Sequence, residues 1–168
     1  MMEDCDDDDI LGNPAFAHPR ARELMPEEFF WDCTDEEAPF GSDEGDTALH
    51  EYREWRRCHP DGALVQCLSW IMNGKLDQYT DHLLVDERMA RDLSDPDGAL
   101  LARHHDMFTL DTTVLATGLA QLLYEGHIDS EAKPYIRVAI KRQLHPRVVK
   151  GDHRAAILQA ALRVVEAA

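Results

Sequence analysis

Residues 111–126 read DTTVLATGLAQLLYEG, and the chain continues over 127–146 as HIDSEAKPYIRVAIKRQLHP. In the first segment Leu115, Leu119, Leu122 and Leu123 recur at helical spacing, and Gly126 ends the apolar stripe. In the second, Ser130 is placed to cap a helix whose first turn holds Pro134, where a missing N–H matters little. Ile136, Ala139, Ile140 and Leu144 carry that helix to His145-Pro146, and Ile157, Leu158, Ala161, Leu162 and Val165 line a last one from about Asp152. Consecutive amphipathic helices with short connections predict helix packed on helix.

The same spacing extends upstream. Asp46 is placed to cap a helix through about Arg57, with Ala48, Leu49, Tyr52 and Trp55 on one face. His59-Pro60-Asp61-Gly62 makes a turn. Leu64, Cys67, Leu68, Ile71 and Met72 mark the next helix, stopped by Asn73-Gly74. Leu83, Leu84, Met89, Ala90 and Leu93 suggest another, and a short one is expected before His105. Prolines 14, 19, 26 and 39 keep 13–40 loop-like, with one short helix from His18 to Met25. No segment alternates apolar and polar residues. The expectation is one all-α domain of about seven helices over 13–168. Residues 1–12 are expected to be a disordered acidic tail, because Asp6 to Asp9 repel one another.

The chain has 168 residues, 33 acidic against 17 basic, for a net charge of −16. That excess repels phosphates, so direct nucleic-acid binding is disfavoured. The charge is unevenly placed. Residues 1–46 set sixteen acids against Arg20 and Arg22, whereas 133–163 set eight bases against Asp152 alone. These regions either neutralise each other within one fold or present two faces of opposite sign. The apolar runs are far shorter than a membrane span, and the N-terminus lacks the basic start and apolar run of a secretory signal. Cys5, Cys33, Cys58 and Cys67 form no CxxC pair and read as reduced thiols. A bacterial-type cytoplasm is therefore expected.

Two sets of residues could carry function. Trp31, Asp32, Asp35, Glu36, Glu37, Phe40, Asp43 and Glu44 place carboxylates around two aromatic rings, which suits a basic protein partner. The competing reading has Phe29, Phe30, Trp31 and Phe40 bury the loop, with Gly41 and Gly45 shaping a tight turn into the Asp46 cap. The second set is His82, His105 and Asp106, with Asp129 or Asp152 downstream. A His, a His-Asp pair and a later Asp on helices could hold a metal that activates water, and this order resembles the HD-domain phosphohydrolases. Cys58, His59 and Cys67 lack a fourth zinc ligand, and Asp43 to Asp46 lack calcium-loop spacing. No glycine-rich phosphate loop or nucleophile elbow occurs, and no cofactor is called for.

The string Phe29-Phe30-Trp31-Asp32, followed by Ala38-Pro39-Phe40-Gly41-Ser42-Asp43-Glu44-Gly45, resembles the bacterial YfeS-like proteins, some of which are linked to a WGR domain. Asp111 to Gly126, with Ile128-Asp129, is similar to the same group. The resemblance spans about half the chain and implies neither a settled activity nor catalytic residues. Trp31, Trp55 and Trp70 stand in no Trp-Gly-Arg string. The leading expectation is a non-enzymatic interaction module of the adaptor or immunity kind, and the alternative is a metal-dependent phosphohydrolase.

Overall fold

Met107–Glu125 forms the longest helix, and 15 of its 19 residues are buried. The leucine stripe predicted one apolar face. Ala116, Ala120, Thr112, Thr113, Thr117 and Gly118 fill the other sides, so neighbours can surround the helix. In the computed structural model, which describes residues 8–95 and 106–168, there are eight α-helices and no strand among the described residues. They are α1 (Asp8–Gly12), α2 (Pro19–Leu24), α3 (Asp43–Cys58), α4 (Leu64–Ile71), α5 (Asp86–Leu93), α6 (Met107–Glu125), α7 (Lys133–Leu144) and α8 (Asp152–Ala167). Short 3-10 turns stand at Pro14–Phe16, Glu28–Trp31, Leu76–Gln78 and Asp81–Leu84. The helices α3 and α7 pack on α6, α8 packs on α7, and α2 and α4 complete the shell. No helix among the described residues is long and apolar enough to cross a membrane.

Several boundaries differ from expectation for local reasons. Residues 8–12, assigned above to the tail, form α1 and bury Ile10 and Leu11. The cap of α3 is Ser42, not Asp46. Its Oγ accepts from the Gly45 N–H at 3.1 Å, so the helix starts four residues earlier. Ser130 does not cap α7. The entry is a turn in which Ala132 N–H donates to the Asp129 carbonyl at 2.9 Å, and Pro134 does lie in the first turn. The 83–93 stretch is split by extended Val85 into a 3-10 turn and α5. The short helix expected before His105 lies outside the described residues.

The end of α6 is fixed by Gly126, whose φ of 80° any side chain would resist. A Cβ there would also lie 2.3 Å from the His18 ring. His18 in turn donates its N–H to the Leu123 carbonyl at 2.8 Å, which ties α2 to the core helix.

Candidate functional site

The acidic loop before α3 is largely committed to the fold. Phe30 and Phe40 are buried in the core, and the half-buried Trp31 spends its indole N–H on the Met25 carbonyl at 2.9 Å. Phe40 therefore plugs the core, which corrects its placement on a partner surface, while Trp31 packs against that core with part of its ring still exposed. Asp32 accepts from the Thr34 hydroxyl and N–H at 2.7 and 2.8 Å, bonds that hold its carboxyl below the usual range. Asp35 accepts from the Glu37 N–H at 3.0 Å with one oxygen and meets His153 Nε2 at 2.7 Å with the other. Arg154 donates to the Glu37 carbonyl, and Arg163 pairs with Glu27 at 2.6 Å. Part of the basic C-terminal stretch thus lies against the acidic segment. Of the expected set, Asp32, Glu36 and Glu37 remain exposed on this side, while Asp43 and Glu44 begin α3.

Among the described residues, one group could supply three metal donors: Asp35, Glu37 and His153, within 4.8 Å of one another. The bond to Asp35 raises the pKa of His153, which favours the protonated ring and an ion pair. The His82 set is not brought together by what is described. His82 Nδ1 lies 2.6 Å from the Thr80 hydroxyl, and Asp106 caps α6 by accepting from the Thr109 N–H at 2.7 Å. His105 lies outside the described residues. Asp129 is engaged with Gln121 and accepts from the Leu64 N–H at 2.8 Å, capping α4 from a distance.

A buried charged cluster sits where α6 and α7 meet. Arg142 donates to Asp111 at 3.0 and 3.1 Å and to Asp92 at 2.8 Å. Gln143 and the Tyr79 hydroxyl also donate to Asp111. Burial pushes the Asp111 carboxyl up to about 6, against the pull of Arg142 and its other donors. Burial works against the Arg142 charge as well, but Asp111, Tyr79 and Asp92 hold its pKa above the ordinary value. These contacts join the 3-10 turns and α5 to the core.

Among the described residues, a cleft of about 600 Å³ lies beside Glu37, Phe108 and Arg154, and a groove with more exposed aromatic surface lies between α3 and α4. One half of the groove, about 650 Å³, is lined by Trp55, Cys58, His59, Gln66 and the carboxylates of Glu51 and Glu54. The other half, about 450 Å³, is lined by Asp43, Glu44, Thr47 and Ile71 among others. Glu51 and Trp70 line both halves. Trp70 is 57% exposed. Just past α4 the chain turns at Asn73 (φ 51°) and Gly74 (φ 80°), with the Gly74 N–H on the Ser69 carbonyl at 2.8 Å. Trp55 is buried and stacks on His59, centroids 4.9 Å apart. Glu54 pairs with Arg57 at 2.6 Å, whereas Asp43, Glu44 and Glu51 have no ion-pair partner among the described residues.

Sequence reasoning found Asp43 and Glu44 but missed Glu51, Trp55 and Trp70 as a group. One signal was present: Trp70 falls off the apolar stripe of α4, so its ring had to point away from the core. Of the two thiols at this end, Cys58 is exposed, while burial pushes buried Cys67 up to about 12 and leaves it unreactive. No protein-family model, curated protein or solved structure matches the chain, so the groove is read from its own chemistry.

Proposed function

We propose that the protein is a non-enzymatic interaction module, of the adaptor or immunity kind, that binds a basic protein partner along the α3–α4 groove. The observation that carries this reading is the row of carboxylates Asp43, Glu44 and Glu51, with no ion-pair partner among the described residues, beside an exposed tryptophan. Carboxylates that no cation of the described residues neutralises add their field to a partner's approach, while apolar area at Trp70 and Trp55 supplies short-range contact. The net charge of −16 adds long-range attraction for a cationic surface. The loop at 32–37 is a weaker docking face, because His153 and Arg154 already lie against Asp35 and Glu37. We also group the chain with the YfeS-like proteins on the strings at 29–45 and 111–129; that grouping brings no catalytic residue into conflict with this reading.

The test is association with nona-arginine, a basic probe, followed by stopped-flow fluorescence at several salt concentrations. Reversing Asp43, Glu44 and Glu51 together to lysine is expected to slow association at least tenfold at low salt and to flatten its salt dependence. Reversing Glu36 and Glu37 is expected to do much less. Equal rates for the groove variant and the unaltered protein would refute the groove as the docking face.

A further inference from the structure

We infer that the junction of the groove, at Glu51 and Trp70, is an anchor subsite for one arginine side chain of the partner, with a bulky apolar residue seated beside it. This rests on the basic-partner reading above and adds the chemistry of its central contact.

Glu51 and Trp70 are shared by both halves of the groove. A carboxylate with no ion-pair partner among the described residues and an exposed indole at one place make two demands on a ligand: positive charge and a flat surface. A guanidinium meets both, because it stacks on an aromatic ring while its edge donates to a carboxylate. An ammonium is a compact, strongly hydrated point charge and meets only the first.

The protein builds the same combination internally one turn further along α3. The Arg56 guanidinium lies 5.2 Å from the Trp55 ring centre and 5.8 Å from that of Tyr52, and it pairs with Glu125 at 3.1 Å. The surface site has the ring and the carboxylate, and no arginine among the described residues lines it. Beyond it, the half of the groove floored by Trp55 and Cys58 is about 650 Å³, within the range of sites that take bulky groups. That space suits an apolar residue next to the arginine. Charge selects against the other occupants: a second copy at −16 is repelled, as is a nucleic acid.

The probe is acetyl-Gly-Leu-Arg-Leu-Gly-amide, titrated into the full chain and followed by the tryptophan indole N–H signals in nitrogen-15 NMR. The Trp70 signal is expected to move and saturate. The same peptide with citrulline, which keeps the shape and loses the charge, is expected to bind at least tenfold more weakly, and the lysine peptide several-fold more weakly. Trp70→Ala and Glu51→Gln are each expected to weaken the arginine peptide at least fivefold. Both positions are exposed, so the variants keep the fold, and their NMR spectra report this directly. Equal binding of the citrulline peptide overturns the subsite, as does binding that ignores both substitutions. If nona-arginine still binds with strong salt dependence in those cases, the basic-partner reading stands without the anchor. If neither nona-arginine nor the pentapeptide binds, both fall.

Discussion

Asp111 has no exposed surface, and it faces a guanidinium, an amide and a phenol at once. Two forces compete there. Arg142 and the hydrogen bonds favour the carboxylate, while loss of water disfavours it, and burial wins, pushing the pKa up to about 6. A folded pKa above the unfolded value means that the native state binds this proton more tightly. Its contribution to stability is then fully present below about pH 4 and is lost as pH rises through 6. In an Asp111→Asn variant nothing titrates at this place. The stability of the unaltered protein relative to that variant should fall between pH 4 and pH 6 by up to about 3 kcal/mol. Urea unfolding of both proteins across that range measures it. A difference that stays flat would mean Arg142 keeps the carboxylate charged throughout. None of this was legible in the sequence. An aspartate on a helix reads as polar surface until Arg142, which is itself only 1% exposed, is seen to face it.

At the scale of elements, the string at 38–45 shows what a sequence discloses and what it withholds. That the aromatic residues bury the loop, and that the glycines shape its turn, was readable as one of two alternatives. The cap was misread, because Asp46 and Ser42 are both good caps and only packing chooses between them. Packing chooses through Gly45, where a Cβ would lie 1.9 Å from the Pro39 carbonyl oxygen. Backbone on both sides cannot yield that distance cheaply. Gly45→Ala should therefore destabilise the protein by about 1–3 kcal/mol, although alanine is the better helix former. Ser42→Ala should cost about 1 kcal/mol through the lost cap. Thermal melts of the two variants check the order, and a Gly45→Ala protein as stable as the parent would show that the turn relaxes freely. The helices α4, α7 and α8 were legible because their apolar residues keep a helical period. The helix α1 was hidden by its aspartates, which outweighed Ile10 and Leu11 in the reading. The groove could not be read, since it depends on how α3 and α4 lie together.

For the whole molecule, charge acts in two directions. The acidic and basic regions of the sequence meet in part, through ion pairs of His153 with Asp35 and Arg163 with Glu27 and a bond from Arg154 to the Glu37 backbone carbonyl. Such contacts at the surface are worth roughly 0–1 kcal/mol each, and they act over a few ångströms that salt screens incompletely. The remaining net charge of −16 repels itself across the molecule. That repulsion is long-ranged, and at 0.15 M salt, with a Debye length of about 8 Å, most of it is removed. Unfolding moves the charges apart, so repulsion at low salt favours the unfolded chain. Raising sodium chloride from about 10 to 150 mM should therefore raise the melting temperature, the screened repulsion outweighing the weakened surface pairs. The same addition should slow association with a basic probe, because that step depends on the unscreened field. The two responses have opposite signs and one cause. Scanning calorimetry and stopped-flow binding over a single salt series would measure both. A melting temperature that falls with salt would show that the contacts between the acidic loop and α8 dominate over the net charge.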